Sequence, residues 1–440
     1  MVKTASKVKH TDAIGAKLEG CSRVVIEAVH PELEGGEYAI QRVAGETVVV
    51  EADIFADGHD VIAAHLLFRG PGERTWLTAP MELVNNDRWR GEFPVTTMGE
   101  YRYTLEGWVD PFTTWQNAMK KRLDAGQEVH VELMSGGILV SAAAKRAKGN
   151  DGKRLKEFAA RLNAATAATE NEDASAAALD PALEALMQKY QEHAHSTRYA
   201  KELRVSVGRE RATFSAWYEI FPRSCSQTPG EHGTFKDVES WLPYIASMNF
   251  DVLYFPPIHP VGHAFRKGKN NSETAEPGDV GSPWAIGSEE GGHTAIHPQL
   301  GTLEDFQSLI TKAKQHGLEI ALDLAYQCSP DHPWVREHPS FFRTRPDGTI
   351  QYAENPPKKY QDIYPINFET EDWRTLWREL KGVIDYWIGQ GVLIFRVDNP
   401  HTKSFPFWKW VIAETKAAHP EVIFLAEAFT RPKVMYRLAK

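Results

Sequence analysis

The chain has 440 residues, a formal net charge of −9 and three cysteines. This length allows two or three domains around a large core. The negative charge argues against nucleic acid or an anionic membrane as a main partner. Cys21, Cys225 and Cys328 are too few and too scattered for a disulfide framework or a zinc site, which fits a reducing cytoplasm. Because the basic N-terminus leads into no apolar stretch and no segment is long enough to span a bilayer, we expect a cytoplasmic protein without membrane contact.

The N-terminal quarter of the chain predicts a β-sandwich. Residues 1–20 are mostly polar and are expected to be frayed. Over residues 21–110, short runs rich in β-branched and aromatic residues are separated by turn signals such as Asp57-Gly58. We favour an architectural or dimerising role for this domain, with carbohydrate binding as the alternative. The expected strands are 23–28, 46–52, 61–69, 89–95 and 100–108.

Residues 111–200 predict a helical insert. Apolar residues at helical spacing indicate a helix over 112–125, and a short strand is expected around 129–133. The alanine-rich stretch 154–196 predicts two helices, since alanine is the best helix former. Asp180-Pro181 supplies a helix start, with aspartate as the N-cap and proline in the first helical position. A helical protrusion without chemistry of its own most often serves packing or subunit contact.

From residue 201 to 440 strands and helices alternate, which predicts a TIM-type α/β barrel. Two connections, 256–300 and 327–370, are long and leave the carboxyl ends of strands, and the second is expected to form an inserted subdomain. A closed barrel of this type has eight strands and five are predicted here, so we expect a multidomain chain with a barrel that is incomplete at its C-terminus, and we interpret it as a fragment. The expected strands are 215–221, 251–255, 318–326, 392–398 and 422–428, and the expected helices are 237–248, 303–316 and 405–418.

The last two predicted strands each end in a carboxylate. Asp398 follows the apolar run from Gly391, and Glu427 follows an equally apolar run. Since these strands are joined by one helix, we expect them to be neighbours with both carboxylates at the carboxyl end of the sheet, where barrel enzymes place their chemistry. Arg396 should keep Asp398 ionised as a nucleophile, and burial should keep Glu427 protonated as an acid. This division of roles is that of a retaining glycosidic-bond enzyme. The alternative is a structural ion pair beside a buried glutamate.

The predicted subdomain contains Asn355, Lys358 and Tyr360 around a Pro-Pro step, and a second basic cluster surrounds Lys267. Such donors are able to hold an anion such as phosphate, but lysine pairs are more often solvated surface, and both interpretations stay open from the residues alone. No phosphate-binding glycine loop accompanies them, so a nucleotide is not expected. The histidines lack the spacing of a metal-binding helix, so we predict no metal and no cofactor; those considered are His259, His263, His293, His297, His332 and His338.

These motifs resemble the α-amylase superfamily, glycoside hydrolase family 13. Phe395-Arg396-Val-Asp398 is similar to its strand-four region, Ala426-Glu427-Ala to its strand-five region, and Asp323 lies in a segment similar to its strand-three region. Ordinary amylases carry Asn-His where this chain has Gln327-Cys328, and that asparagine helps to bind calcium in many amylases, so the resemblance does not imply calcium here. The stretches 323–334 and 352–365 more closely resemble the α-1,4-glucan:maltose-1-phosphate maltosyltransferases, and this resemblance covers nearly the whole chain.

The resemblance implies a homodimer that transfers maltosyl units from α-maltose 1-phosphate to an α-1,4-glucan and releases inorganic phosphate, in glycogen biosynthesis. Asp398 would attack the anomeric carbon, and Glu427 would protonate the phosphate and later deprotonate the acceptor hydroxyl. The dimer contacts would come from the sandwich and the helical insert. By the same resemblance, the phosphate positions are Asn355, Lys358, Tyr360 and Asn399, and the donor-sugar positions are Lys267, Gln327, Asp362 and Arg396.

The family also has a third catalytic carboxylate after strand seven, beyond Lys440. We therefore expect the 440-residue chain by itself to be inactive and the complete gene product to be active. Two other functions stay open: a hydrolase of the amylase type or a trehalose-forming relative, in which water resolves the intermediate, and a non-catalytic glucan-binding protein.

Overall fold

A computed structural model describes residues 20–164 and 168–440, so all but the last residue of the segment predicted to be frayed lies outside the described residues. The chain divides into two compact units. The first contains Glu46–Val95, Glu100–Val205 and the chain up to Ile40, and the second contains Gln41–Gly45, Thr96–Gly99 and Ser206–Lys440.

The N-terminal part of the chain is a sandwich of antiparallel sheets. Its strands are β1 (Val24–His30), β2 (Ile40–Val43), β3 (Thr47–Ala56), β4 (Ile62–Arg69), β5 (Leu77–Pro80), β6 (Glu82–Asn85), β7 (Arg88–Pro94) and β8 (Gly99–Val109). One sheet has the order β1-β3-β7-β6, and in the other β4 pairs with both β5 and β8. The sheets meet face to face, since the ring of Phe68 on β4 stacks on that of Phe93 on β7 with centroids 4.7 Å apart. The expected strands are present, and the structure adds β2, β5 and β6.

Five helices follow the sandwich, and two predictions in this region are wrong. The expected strand at 129–133 is the start of α2, and the alanine-rich stretch, expected to hold two helices, contains most of α3 and all of α4 and α5. Residues 165–167 of that stretch lie outside the described residues. The Asp180 side chain caps α5 as predicted, accepting from Ala182 N at 2.8 Å. The elements are α1 (Pro111–Asp124), α2 (His130–Arg146), α3 (Gly149–Asn163), α4 (Ala168–Ala178), α5 (Pro181–Lys189), β9 (Thr197–Arg198) and β10 (Leu203–Gly208).

Tertiary packing explains why α2 forms despite its β-branched start and its Gly136-Gly137 pair. A Cβ atom at Gly136 would lie 2.1 Å from the Trp115 ring, and one at Gly137 would lie 2.2 Å from the side chain of Asn163. The two glycines therefore let α1 and α3 approach α2 closely. Trp115 Nε1 also donates to the Glu132 carbonyl at 2.7 Å. These contacts outweigh the local preference of the sequence, which is why the strand prediction failed.

The second unit is built on a five-stranded parallel sheet of order β11-β12-β13-β18-β19. Alternate residues serve its two faces: Leu253 and Phe255 belong to the large core under the helices, and Val252 and Tyr254 to a smaller cluster on the other face. The strands are β11 (Trp217–Glu219), β12 (Val252–Phe255), β13 (Glu319–Leu324), β14 (Gln327–Cys328), β15 (Ala353–Asn355), β16 (Lys358–Tyr360), β17 (Tyr364–Pro365), β18 (Ile394–Val397) and β19 (Ile423–Ala426), and the helices are α6 (Phe235–Ser247), α7 (Leu303–Gln315), α8 (Pro333–Glu337), α9 (Trp373–Gly389), α10 (Phe405–Ala418) and α11 (Pro432–Ala439).

The five predicted barrel strands are all present, each shorter than expected, and the helix predicted at 405–418 has those bounds. The sequence-based prediction missed α9 and α11. Segment 327–370 carries two small antiparallel pairs, β14 with β17 and β15 with β16. Among the described residues, none of the helices combines the length and the apolar composition needed to cross a bilayer.

The close packing of α2 on α1 gives a first prediction. Gly136→Ala should destabilise the first unit by about 1–3 kcal/mol, because its new methyl group must displace the buried Trp115 ring. Ser135→Ala is the matched control, since Ser135 is exposed on the same helix and its substitution should change the free energy of unfolding by less than about 0.5 kcal/mol. Urea unfolding followed by circular dichroism measures both, and equal stability of the two variants would contradict the packing argument.

Candidate active site

The parallel sheet brings three acidic positions to its carboxyl edge. In the register, Asp323 of β13 lies beside Arg396 of β18. Asp398 directly follows β18 and Glu427 directly follows β19, and the last residues of these two strands are themselves register partners. The predicted pair of carboxylates therefore stands at equivalent ends of adjacent strands.

The Arg396 guanidinium contacts all three carboxylates. Its Nη1 donates to Asp323 Oδ2 at 2.7 Å and to Asp398 Oδ1 at 2.9 Å. Its Nη2 lies 2.6 Å from Glu427 Oε1. The pairs involving Asp323 and Asp398 are largely removed from solvent, where charge–charge attraction is stronger than at an exposed surface. Arg396 thus fixes the positions of groups that would repel one another without it.

The pKa of Glu427 is raised, chiefly by burial and then by a hydrogen bond with Asp398, while the charge of Arg396 opposes the rise. A raised pKa suits a group that must hold a proton near neutral pH and give it to a leaving group. Since one guanidinium contacts both Asp398 and Glu427, the two carboxyl groups lie close together. Retaining glycosidic-bond enzymes need such closeness, whereas inverting ones leave room for a water molecule.

Asp323 belongs to this constellation although it was not among the predicted site residues. Burial raises its pKa to about 7, in spite of the opposing charge of Arg396. Its Oδ2 also accepts from the Tyr254 hydroxyl and, at 3.4 Å, from Trp284 Nε1. The sequence signal was present, because Asp323 is the acidic residue near the carboxyl end of an apolar strand, as Asp398 is.

The turn after Asp398 is held by its own contacts. Asn399 adopts a left-handed backbone with φ 42°, which asparagine tolerates better than most residues. The partly buried Lys403 donates to the carbonyls of Asp398 and Asn399 at 3.3 and 3.2 Å. Burial lowers the pKa of this lysine to about 8, and the charge of Asp398 opposes that change. Lys403 was missed from the sequence because a single lysine five residues after a carboxylate carries no distinct pattern.

Three more of the predicted residues lie in the long segments that follow β12 and β13. Gln327 Nε2 donates to the carbonyl of Trp284 at 3.2 Å, so it is joined through Trp284 to Asp323. Lys267 and Asp362 are both buried, and burial raises the pKa of Asp362 while the charge of Lys267 lowers it. Asp362 Oδ1 has no hydrogen-bond partner within the part of the chain that the structure describes.

The predicted phosphate residues occupy the hairpin of β15 and β16. Asn355 and Lys358 are register partners that flank its turn, and Tyr360 ends its second strand. Asn355 and Lys358 are exposed, and Tyr360 is partly buried. The contacts above join Asp398, Glu427, Arg396 and Asn399 into one group, whereas the place of the hairpin beside that group stays a prediction.

One group of side chains within the described residues has the spacing of a metal site: His293, Cys328 and His332 offer ligand atoms within 4.8 Å of one another. Their nitrogens are already engaged. His332 Nδ1 accepts from Trp334 N at 3.0 Å, so its Nε2 carries the proton and donates to His293 Nδ1 at 3.0 Å. His293 Nε2 then donates to the Ala325 carbonyl at 2.9 Å. A metal ion would have to break this chain of hydrogen bonds, so we keep the prediction of no metal.

Comparison with known proteins agrees with the class of enzyme that this site defines. The family model described as "Alpha amylase, catalytic domain" matches residues 219–379. Residues 219–379 therefore belong to an α-amylase-type catalytic domain, in a chain with several domains.

Residues 22–209 match the model described as "Alpha-1,4-glucan:maltose-1-phosphate maltosyltransferase, domain N/S". Curated proteins of that name are 52% identical in Chlorobaculum tepidum and 50% identical in Myxococcus xanthus, each over 96% of this chain and 62% and 64% of the relative. One from Cereibacter sphaeroides is 50% identical over 95% of this chain and 70% of its own length. The chain belongs to the family of α-1,4-glucan:maltose-1-phosphate maltosyltransferases, as the sequence motifs predicted, and it spans just under two thirds of the length of the first two relatives.

The geometry around Arg396 predicts a measurable pKa change. Because its charge now lowers the pKa of Glu427, Arg396→Leu should raise that pKa further. Titration of the Glu427 carboxyl by ¹³C NMR, with the signal assigned by its absence in Glu427→Gln, measures the change. Arg374→Leu, at an exposed position of α9, is the control and should leave the Glu427 titration where it is. An unchanged or lowered value in Arg396→Leu would refute the proposed electrostatic role.

Proposed function

We propose that the protein transfers maltosyl units from α-maltose 1-phosphate to the non-reducing end of α-1,4-glucans, releasing inorganic phosphate, in the biosynthesis of glycogen or a related α-glucan. The observation that carries this proposal is the pair Asp398 and Glu427, held together by Arg396 at adjacent strand ends, in a chain of this family. The relatives bear the name of this reaction.

Two displacement steps use the two carboxyl groups. The Asp398 carboxylate attacks the anomeric carbon, the bond from that carbon to the phosphate oxygen breaks, and Glu427 gives its proton to the departing phosphate. A β-maltosyl ester on Asp398 results. Glu427, now ionised, takes the proton of the acceptor 4-hydroxyl as that oxygen attacks the same carbon and frees Asp398. Two inversions give net retention, and the proton returns to Glu427.

Arg396 serves both steps by holding the two carboxyl groups in place, and Lys403 does the same for the turn that carries Asp398. We assign phosphate binding to Asn355, Lys358, Tyr360 and Asn399, and the donor sugar to Lys267, Gln327, Asp362 and Arg396. The buried Asp362 oxygen without a partner supports this assignment, since a sugar hydroxyl would satisfy it.

We also propose that the parallel sheet is part of a (β/α)8 barrel, that the protein works in the cytoplasm, and that it forms homodimers through the first unit. Exposed apolar residues of α2 support the last point, because Val131, Met134 and Ile138 are 67%, 48% and 70% exposed at helical spacing. Sedimentation velocity distinguishes the dimer from a monomer.

The deciding experiment measures phosphate release from α-maltose 1-phosphate by the full-length protein, with and without maltohexaose. We expect release that requires the acceptor and products longer by two glucose units. Asp398→Asn should lower the rate by at least about a thousandfold, because it removes the nucleophile. Maltose freed from starch without phosphate dependence would instead establish a hydrolase. Glucan binding that Asp398→Asn leaves unchanged, with no turnover in the wild type, would establish a binding protein.

The hairpin supplies a separate prediction with an internal control. Lys358→Ala should raise the KM for α-maltose 1-phosphate about tenfold or more, because it removes a positive charge from the proposed phosphate site. Lys359→Ala is matched to it, since the side chains of adjacent strand residues lie on opposite faces of the hairpin, and should change that KM less than twofold. Initial rates at varied donor concentration measure both KM values. Equal effects of the two substitutions would mean that Lys358 is an ordinary surface residue and does not bind phosphate.

A further inference from the structure

Phe265 combines two features that are unfavourable for a phenylalanine. Its side chain is 56% exposed to solvent, and its backbone has φ 52°, in the left-handed region. A bulky residue in that region is strained, and an exposed ring gains little from burial. Such a position persists when the surrounding structure enforces it, and strained residues of this kind concentrate at ligand sites.

The surrounding structure does enforce it, from both sides. Before Phe265, the amides of His263 and Ala264 donate to Asp331 Oδ2 at 2.7 and 2.8 Å. After it, the Arg266 guanidinium folds back onto the backbone: Nε donates to the Gly262 carbonyl at 2.8 Å and Nη2 to the Val261 carbonyl at 2.9 Å. These bonds determine the path of the chain on either side of the exposed ring.

The position of Phe265 relates it to the active site. It lies in the long segment that leaves the carboxyl end of β12, the edge of the sheet at which Asp398 and Glu427 stand. It comes two residues before the buried Lys267, which interacts electrostatically with Asp362. The same segment continues to Trp284, which contacts Asp323. The exposed ring is therefore carried by the loop that also supplies Lys267, one of the proposed donor-sugar residues.

We propose that Phe265 is a stacking platform for the α-1,4-glucan acceptor. The apolar C–H face of a pyranose ring packs against an aromatic ring, and a rigidly held ring gives up little conformational entropy on binding. The acceptor is a chain of pyranose rings that has to be oriented while its terminal 4-hydroxyl attacks. This inference rests on the proposed transferase function and extends it by naming a residue that determines acceptor affinity.

Phe265→Asn in the full-length protein tests this proposal, because asparagine tolerates a left-handed backbone but has no ring. We expect the KM for maltohexaose to rise about five- to tenfold, while the KM for α-maltose 1-phosphate changes less than twofold. The melting temperature should stay the same or rise, since strain is relieved. Phe265→Tyr keeps the ring and should retain a maltohexaose KM near that of the wild type.

The matched control is Phe214→Ala. Phe214 is 79% exposed but precedes β11, so it lies at the opposite end of the parallel sheet, and its substitution should leave the acceptor KM unchanged. A maltohexaose KM within twofold of the wild type in Phe265→Asn would overturn the proposal, and so would a lower melting temperature with equal losses for both substrates.

Failure of the proposed transferase function can be distinguished from failure of the Phe265 proposal. A wild type that releases no phosphate overturns the transferase reaction itself. Calorimetric titration of maltohexaose into the wild type and Phe265→Asn then still decides whether the ring binds glucan, and equal dissociation constants would overturn the platform.

Discussion

The guanidinium of Arg396 holds together three carboxyl groups at the carboxyl end of the parallel sheet. Asp323, Asp398 and Glu427 come from three consecutive strands of that sheet and would repel one another if all were ionised without a cation between them. Burial is the largest cause that raises the pKa of Asp323 and of Glu427, the neighbouring Asp398 raises both further, and the positive charge of Arg396 limits the rise. The three carboxyl groups thus depend on one cation that lies on a strand rather than in a loop.

The register of the sheet makes this contact possible. Parallel pairing sets Asp323 beside Arg396 and the ends of β18 and β19 beside each other, so the carboxylates are placed by backbone hydrogen bonds. The loops beyond the strands add the remaining contacts. Lys403 fixes the left-handed turn after Asp398, and Trp284 links the segment after β12 to Asp323. Side chains at strand ends are positioned more precisely than side chains on loops alone. Loops that make hydrogen bonds to the same side chains are held in place as well.

Buried histidines stabilise the same loops through neutral hydrogen bonds rather than through charge. His259, His293 and His332 have pKa values lowered by burial to about 3, 4 and 2. They stay neutral in the folded protein and serve as hydrogen-bond partners. The bond between His293 and His332 joins the two long segments, whereas His259 Nδ1 donates to the Ala295 carbonyl within the first of them. A group whose folded pKa is depressed in this way adds stability above its unfolded pKa near 6.5, and the contribution is lost as the pH falls below that value. These residues are therefore structural elements that require near-neutral pH, and the nitrogens of His293 and His332 are engaged in hydrogen bonds.

The sequence by itself determined the alternating strands of the second unit, the helix at 405–418 and the two carboxylates at neighbouring strand ends, because these follow from local periodicity and chain order. It also carried the motifs that identify the family. Only the tertiary structure decided that residues 130–133 are helical. Gly136 and Gly137 leave room for the side chains of Trp115 and Asn163, and these contacts cannot be seen in the local sequence pattern. The same holds for the contacts of Asp323 with Tyr254 and Arg396, which are distant in sequence, and for the left-handed backbone of Phe265. Composition and spacing describe what neighbouring residues prefer, whereas burial, charge pairing and strain arise when separate segments meet.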